Sequence, residues 1–235
     1  MLAAFDAMNS NSSSVIFINQ MKISTTMVAF FTLSELIDII MMTLAVGFIF
    51  KDIIPKNVLH QMQSRKAAVA YDPVEYYQNR TVGIKKYIGT WQEWKWAIAA
   101  VAPGIVLHEF GHKFVAMAFG LSATFNADYT FLALGVILKL VNFPFLIIVP
   151  AYIAISGSPT YLQSAIISFA GPAVNGLIWL ICKYAVDQKK LSRNGQIILM
   201  ITQRLNGFMF LFNMLPIPGF DGFQVYYNII RMFTG

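Results

Sequence analysis

Charge, cysteine and histidine are all scarce in this chain. Only 12% of its 235 residues are charged, 57% are hydrophobic, and the mean hydropathy is +0.61. An ordinary soluble domain carries about 25% charged residues, so the shortfall argues against that class and predicts a polytopic membrane protein. The single cysteine, Cys182, excludes an internal disulfide and a cysteine-based zinc site. It lies in an apolar run and reads as a small core or lipid-facing residue. Residues 1–20 lack a basic stretch ahead of an apolar core, so no cleavable signal peptide is expected. The first hydrophobic segment would itself direct insertion. Neither an internal repeat nor an appended soluble domain is expected.

What the chain does have is aromatic and apolar. Twenty Phe, ten Tyr and four Trp suit a lipid-facing surface with interfacial rings. The net charge of +6 comes from basic residues clustered in loops, as topology signals and headgroup contacts do. Nucleic acid is therefore not an expected partner; the lipid bilayer is.

Hydrophobic runs divide the sequence. Residues 1–26 form an N-terminal polar segment, and 27–50 a first transmembrane helix, long enough to cross with some tilt. Glu35 and Asp38 lie on one face of it. Residues 51–95 make a polar, basic surface loop that ends in the interfacial residues Tyr87, Trp91, Trp94 and Trp96. Residues 96–235 form a membrane core. Within it, 97–119 is a helix kinked or loosened at Pro103, 161–186 a second, 195–222 a third with its closing turn, and 223–233 a short terminal helix. The stretch 130–155 is apolar but broken by Gly135, Lys139, Asn142, Pro144 and Pro150. It fits one kinked span, or equally a re-entrant or extended segment within 122–157, which survives at membrane depth only where protein or a wet cavity covers it.

The chemistry is concentrated in His108-Glu109-Phe110-Gly111-His112. Residues four apart on a helix share a face, so His108 and His112 can grip one ion. Glu109 lies about 100° further round, placed to polarise a metal-bound water without ligating. An inert buried cluster of this kind would be costly unless fully paired. Zinc in a hydrolase usually takes three protein ligands and keeps one position for water. The third must come from elsewhere, because Ala118 stands where an extended HExxHxxGxxH motif would place a histidine. His60 is the remaining histidine and reads as a solvated loop residue. Asp221 is the better candidate: it follows Pro216 and Pro218 and precedes Gly222, where the last span breaks and can present a carboxylate at a fixed point.

HEFGH in one span, Gly171-Pro172-x-x-Asn175 in a second, and Asn213-x-x-Pro216-x-x-x-x-Asp221-Gly222 closing a third resemble the site-2 protease family of intramembrane zinc metalloproteases. The likeness covers roughly residues 97–225. It implies an all-α membrane protein whose core of three transmembrane helices surrounds one Zn2+ per chain. His108, His112 and Asp221 then match the ligands and Glu109 the general base and acid. Asn175 and Asn213 match asparagines near the site, expected to contact substrate backbone or the oxyanion or, alternatively, to bond between helices. Gly171, Pro172, Pro216 and Gly222 are expected to shape the structure around the zinc. The family often has a second glycine after the Asp-Gly pair; here Phe223 stands in its place, which could tighten the local packing. The implied activity is cleavage of a substrate's transmembrane helix, and the implied partner a transmembrane protein. The chain is then a multi-pass protein, expected in the cell membrane.

Two alternatives stand beside this. A catalytically inactive membrane-protein binder would need no Glu109 beside its metal. A metal transporter would call for a second metal site and an inverted repeat, and neither is seen. Glu35 and Asp38 are expected to pair with Arg204 or Lys139, to face water, or to line a water route. Water is expected to reach the zinc near Asn213, Asp221 and the Pro-Gly turn. The basic segments 51–95 and 183–193 should share a side of the membrane, which favours a re-entrant 130–156. The positive-inside rule would make that side cytoplasmic; the family arrangement, which turns the end of the HEFGH helix and Asp221 toward the cytosol, implies the opposite.

Overall fold

The computed structural model describes residues 31–54, 58, 88–143, 150–186 and 191–235. The expectations for the N-terminal segment 1–26, for His60 and for most of the 51–95 loop lie outside the described residues. The chain divides into two units, Met1–Leu36 and Ile37–Gly235, and helix α1 (Leu33–Ile49) runs across the division. In the first unit Glu35 closes on the start of its own helix. The Thr32 amide donates to Glu35 Oε2 at 2.7 Å, and Thr32 Oγ1 accepts from the Glu35 amide at 3.3 Å, the reciprocal arrangement of a capping box.

The second unit continues with α2 (Trp91–Ala118), β1 (Ser122–Ala127), α3 (Tyr129–Leu140), β2 (Ala151–Ser156), α4 (Tyr161–Val186), α5 (Arg193–Asn213) and α6 (Asp221–Thr234). Local chemistry sets the helix starts. Thr90 and Glu93 form a capping box that opens α2, six residues before the expected start. Thr160 and Gln163 do the same for α4, which spans the expected 161–186. Asp128 caps α3 through the amides of Thr130 and Phe131, and Ser192 caps α5 through Gly195. Each satisfies amides that have no partner within the helix. Pro103 and Pro172 both lie inside unbroken helices. In the turn that Pro103 disturbs, the Ala100 carbonyl accepts from the Thr202 hydroxyl at 3.0 Å.

The fold is mostly helical, but the all-helical expectation needs one correction. β1 and β2 pair antiparallel, with Ser122 opposite Ser156 and Ala127 opposite Ala151. The excursion from α2 to α4 therefore leaves and returns at one end of the strand pair. This agrees with the extended alternative for 122–157 and not with one continuous kinked helix over 130–155. α4 packs against α2, α5 and α6, and α2 also meets α5 and both strands. Met42, Val46, Ala100, Val101, Ile105, Phe125, Leu132 and Ala151 form the apolar core of this unit.

Among the described residues one helix, α4, is long and apolar enough to cross a membrane. The three expected core spans are thus not matched by length and composition. α2 is long enough at 28 residues, but Glu93, Lys95, Glu109 and Lys113 dilute its hydropathy. α5 carries Arg193, Gln196, Gln203 and Arg204, and the described part of the first helix has 17 residues.

Asp38 on α1 also finds other partners than the expected Arg204 or Lys139. Asp38 Oδ2 accepts from the Ala127 amide at 3.3 Å, and Oδ1 accepts from the Tyr129 hydroxyl. Lys139 instead pairs with Asp52 at 2.8 Å, and Asp52 is also held by Lys51 at 2.9 Å.

Candidate metal centre

Three ligand-type atoms converge from two helices. His108 and His112 lie one turn apart on α2, both buried. Asp221 is the first residue of α6. It follows a turn, 214–220, in which Gly219 adopts φ +98°, a conformation that side chains resist. A Cβ on Gly222 would fall 2.5 Å from the Met214 carbonyl carbon. Glycine there lets α6 start hard against the end of α5, which fixes the position of Asp221. The Tyr226 hydroxyl ties the same turn by donating to the Met214 carbonyl at 3.1 Å.

Asp221 Oδ2 lies 3.1 Å from His108 Nε2 and 3.5 Å from His112 Nε2, and the two Nε2 atoms are 3.2 Å apart. A tetrahedral ion bound at about 2.0–2.1 Å needs ligand atoms about 3.3–3.4 Å apart. The triangle therefore has the size of one face of a zinc tetrahedron. Gly171 on α4 borders the same space. A Cβ there would stand 2.2 Å from His112 Nε2 and 2.7 Å from His108 Nε2, so only glycine leaves that position free. Sequence reasoning placed Gly171 near the site as a structural residue; its closeness to both ligand nitrogens emerges only from the fold. Gly111 allows the approach, since a Cβ on it would meet the Ala170 carbonyl at 2.8 Å.

The far nitrogens of both imidazoles have partners on α4. His112 Nδ1 lies 2.7 Å from the Ile167 carbonyl. A carbonyl only accepts, so Nδ1 carries the proton and Nε2 turns a lone pair to the cluster. The Ile167 carbonyl is a functional group that sequence reading missed, because a backbone atom carries no residue signal. His108 Nδ1 lies 2.9 Å from the Asn175 amide. Asn175 is fully buried behind that ring. The contact joins α4 to α2, the hydrogen bond between helices that was the alternative expectation for Asn175.

Glu109, His108, His112, Asp221 and Asn213 all line one cavity of about 700 Å³. Its other walls come from α1, α2, α4, α5, the 219–220 turn and the strand β2, including Val46, Ile105, Ile167, Met209, Phe220 and Ile153. Asn213 and Asp221 thus both line a mostly apolar space. Pro216 belongs to the turn that leads to Asp221 and does not line the cavity, and Pro172 is buried in α4 next to Gly171. Phe223, in place of the second glycine, stacks on Tyr227 at 6.1 Å between ring centroids.

An HExxH helix whose two histidines meet an aspartate, with the motif's glutamate in the same cavity, defines a zinc metalloprotease. Over 133 residues the chain is 34% identical to a protein of Methanocaldococcus jannaschii described as a "Putative zinc metalloprotease", a match that covers 55% of this chain and 68% of that one. The chain belongs to that zinc metalloprotease family, and its cofactor is one Zn2+, for which His108, His112 and Asp221 form the binding group. No family model and no solved structure matches it.

Proposed function

We propose that this metalloprotease works inside the membrane, as a multi-pass endopeptidase of the site-2 protease type that cuts transmembrane segments of other proteins. The observation that carries the reading is that the ligand triad and Glu109 open on an apolar cavity walled on one side by β2. The outward faces agree with it. Leu107 and Phe114 on α2, Leu177 and Ile181 on α4, and Phe208 and Leu211 on α5 are all exposed. An apolar surface spread over three helices suits lipid better than water. On this reading α2, α4 and α5 are the three core spans, and polar residues on α2 are tolerated because they face the site.

When bound, zinc supplies a Lewis acid for the scissile carbonyl and lowers the pKa of water from 15.7 toward about 7. Glu109 accepts the proton of the attacking water and returns it to the leaving amine nitrogen. Asn213 faces the cavity and can donate its amide to the substrate carbonyl. A transmembrane helix has its amides already bonded, so the substrate unwinds before cleavage. Among the described residues β2 pairs with β1 alone. Its other edge can take the unwound peptide as an added strand, main chain to main chain.

The test is cleavage of a model transmembrane segment by the purified full chain in lipid. Activity that falls by about 10²- to 10⁴-fold in Glu109→Gln, and that stops on chelation and returns with zinc, is the expected result. Cleavage of unstructured water-soluble peptides with none of embedded segments would leave the metalloprotease and remove the intramembrane reading.

A further inference from the structure

The contact behind His108 is a choice between two orientations of one side-chain amide. With Nδ2 toward the ring, 2.9 Å from His108 Nδ1, Asn175 acts as a donor, and its own Oδ1 is buried without a partner among the described residues. A donor at Nδ1 also forces the neutral ring to carry its proton on Nε2. That nitrogen points at Asp221 and His112, where a metal ligand needs a lone pair. Turning the amide by 180° removes both conflicts: Oδ1 accepts the Nδ1 proton, and Nε2 is free to ligate.

The displaced Nδ2 has a natural acceptor. Two other buried asparagines in helices, Asn206 and Asn228, each donate Nδ2 to the carbonyl four residues back, at 2.8 and 2.7 Å. For Asn175 that carbonyl is Gly171's, which also lies within hydrogen-bonding reach of His108. His112 already shows the arrangement in full, with its far nitrogen on the Ile167 carbonyl.

We infer that Asn175 is a positioning residue: its Oδ1 accepts the Nδ1 proton of His108 and so aims the Nε2 lone pair at the zinc. Two α4 acceptors, a backbone carbonyl for His112 and a side chain for His108, then set both histidine ligands. The inference rests on the metal centre and not on intramembrane cleavage, so either can fail without the other.

Zinc affinity measured by chelator competition on the purified full chain tests it. Aspartate at position 175 can accept but not donate; alanine can do neither. Asn175→Asp should keep zinc within a few-fold of the parent. Asn175→Ala should weaken binding by about 10- to 100-fold, the usual effect of losing such a partner. Parent-like affinity in Asn175→Ala would overturn the inference, because the Gly171 carbonyl would then suffice alone. Asn175→Asp as weak as Asn175→Ala would overturn it too, by showing that the amide acts as donor or as packing.

Discussion

His108 and His112 stand in the middle of a 28-residue helix, each ring held from behind by a group on α4, whereas Asp221 stands at the first residue of α6 after a turn with two prolines and a glycine at positive φ. The histidine side is buried; the aspartate is partly exposed to the cavity. One wall of the centre is thus fixed by helix packing through Gly111 and Gly171, the other by how a turn folds over Gly222. Helix-borne ligands are placed more precisely than loop-borne ones. The contrast makes the histidine wall the preformed part of the site and Asp221 the part that completes it.

The strongest blow to the fixed wall is Gly171→Ala. Its methyl would stand 2.2 Å from His112 Nε2, so the imidazole or one of the packed helices must shift. Stoichiometric zinc should disappear in metal analysis. Activity should fall by at least the roughly 10²-fold that a 1 Å misplacement costs. Full zinc occupancy in that variant would show that the two helices are not rigid here.

Asp221→Asn removes the charged ligand and leaves the histidine wall as it was. Zinc should bind more weakly by at least about 10- to 100-fold, no less than loss of an outer-shell partner costs, yet recover at high metal concentration. A titration that never recovers would mean that the aspartate also holds the histidines in place.

The smallest effect is expected away from the zinc, where Asp52 joins Lys51 to Lys139 on α3. Burial alone would raise the Asp52 carboxyl, but hydrogen bonds and charge from Lys139 and Lys51 outweigh it and hold the group below its ordinary 3.8. A carboxylate depressed on folding stabilises the protein above its unfolded pKa, and that contribution is lost as pH falls through the folded one. Asp52 is 43% exposed, so solvent screening limits the two ion pairs to about 1 kcal/mol at most. The melting temperature of Asp52→Asn should be slightly below the parent's at neutral pH, and the two should converge below the ordinary carboxylate range. An unchanged gap at low pH would assign the effect to packing.

Much of the centre was legible without coordinates because its chemistry needs fixed residue types at short spacing. HExxH states two ligands and a base within five residues, and the Pro-Gly setting of Asp221 marks a carboxylate held by a turn. Helix α4 was readable to its ends because it is a continuous apolar run. The strands were legible only as an extended alternative. SATFNA alternates polar and apolar residues but over six positions only, AYIAIS is apolar at five of its six, and short apolar runs do not distinguish strand from helix. The role of Asn175 was hidden for a different reason. Its partner His108 lies 67 residues away, and nothing local distinguishes an asparagine that holds an imidazole from one that bonds between helices. Asp38 is similar, since its partners Ala127 and Tyr129 are about 90 residues distant.

The register of the strand pair also sets where the chain re-emerges. Ser122 lies opposite Ser156, so the excursion that carries β2 to the cavity wall ends beside where it began. α4 therefore starts near the place where α2 ended, and the zinc-binding helix and the helix behind it are joined by a closed loop that also supplies one wall of the cavity.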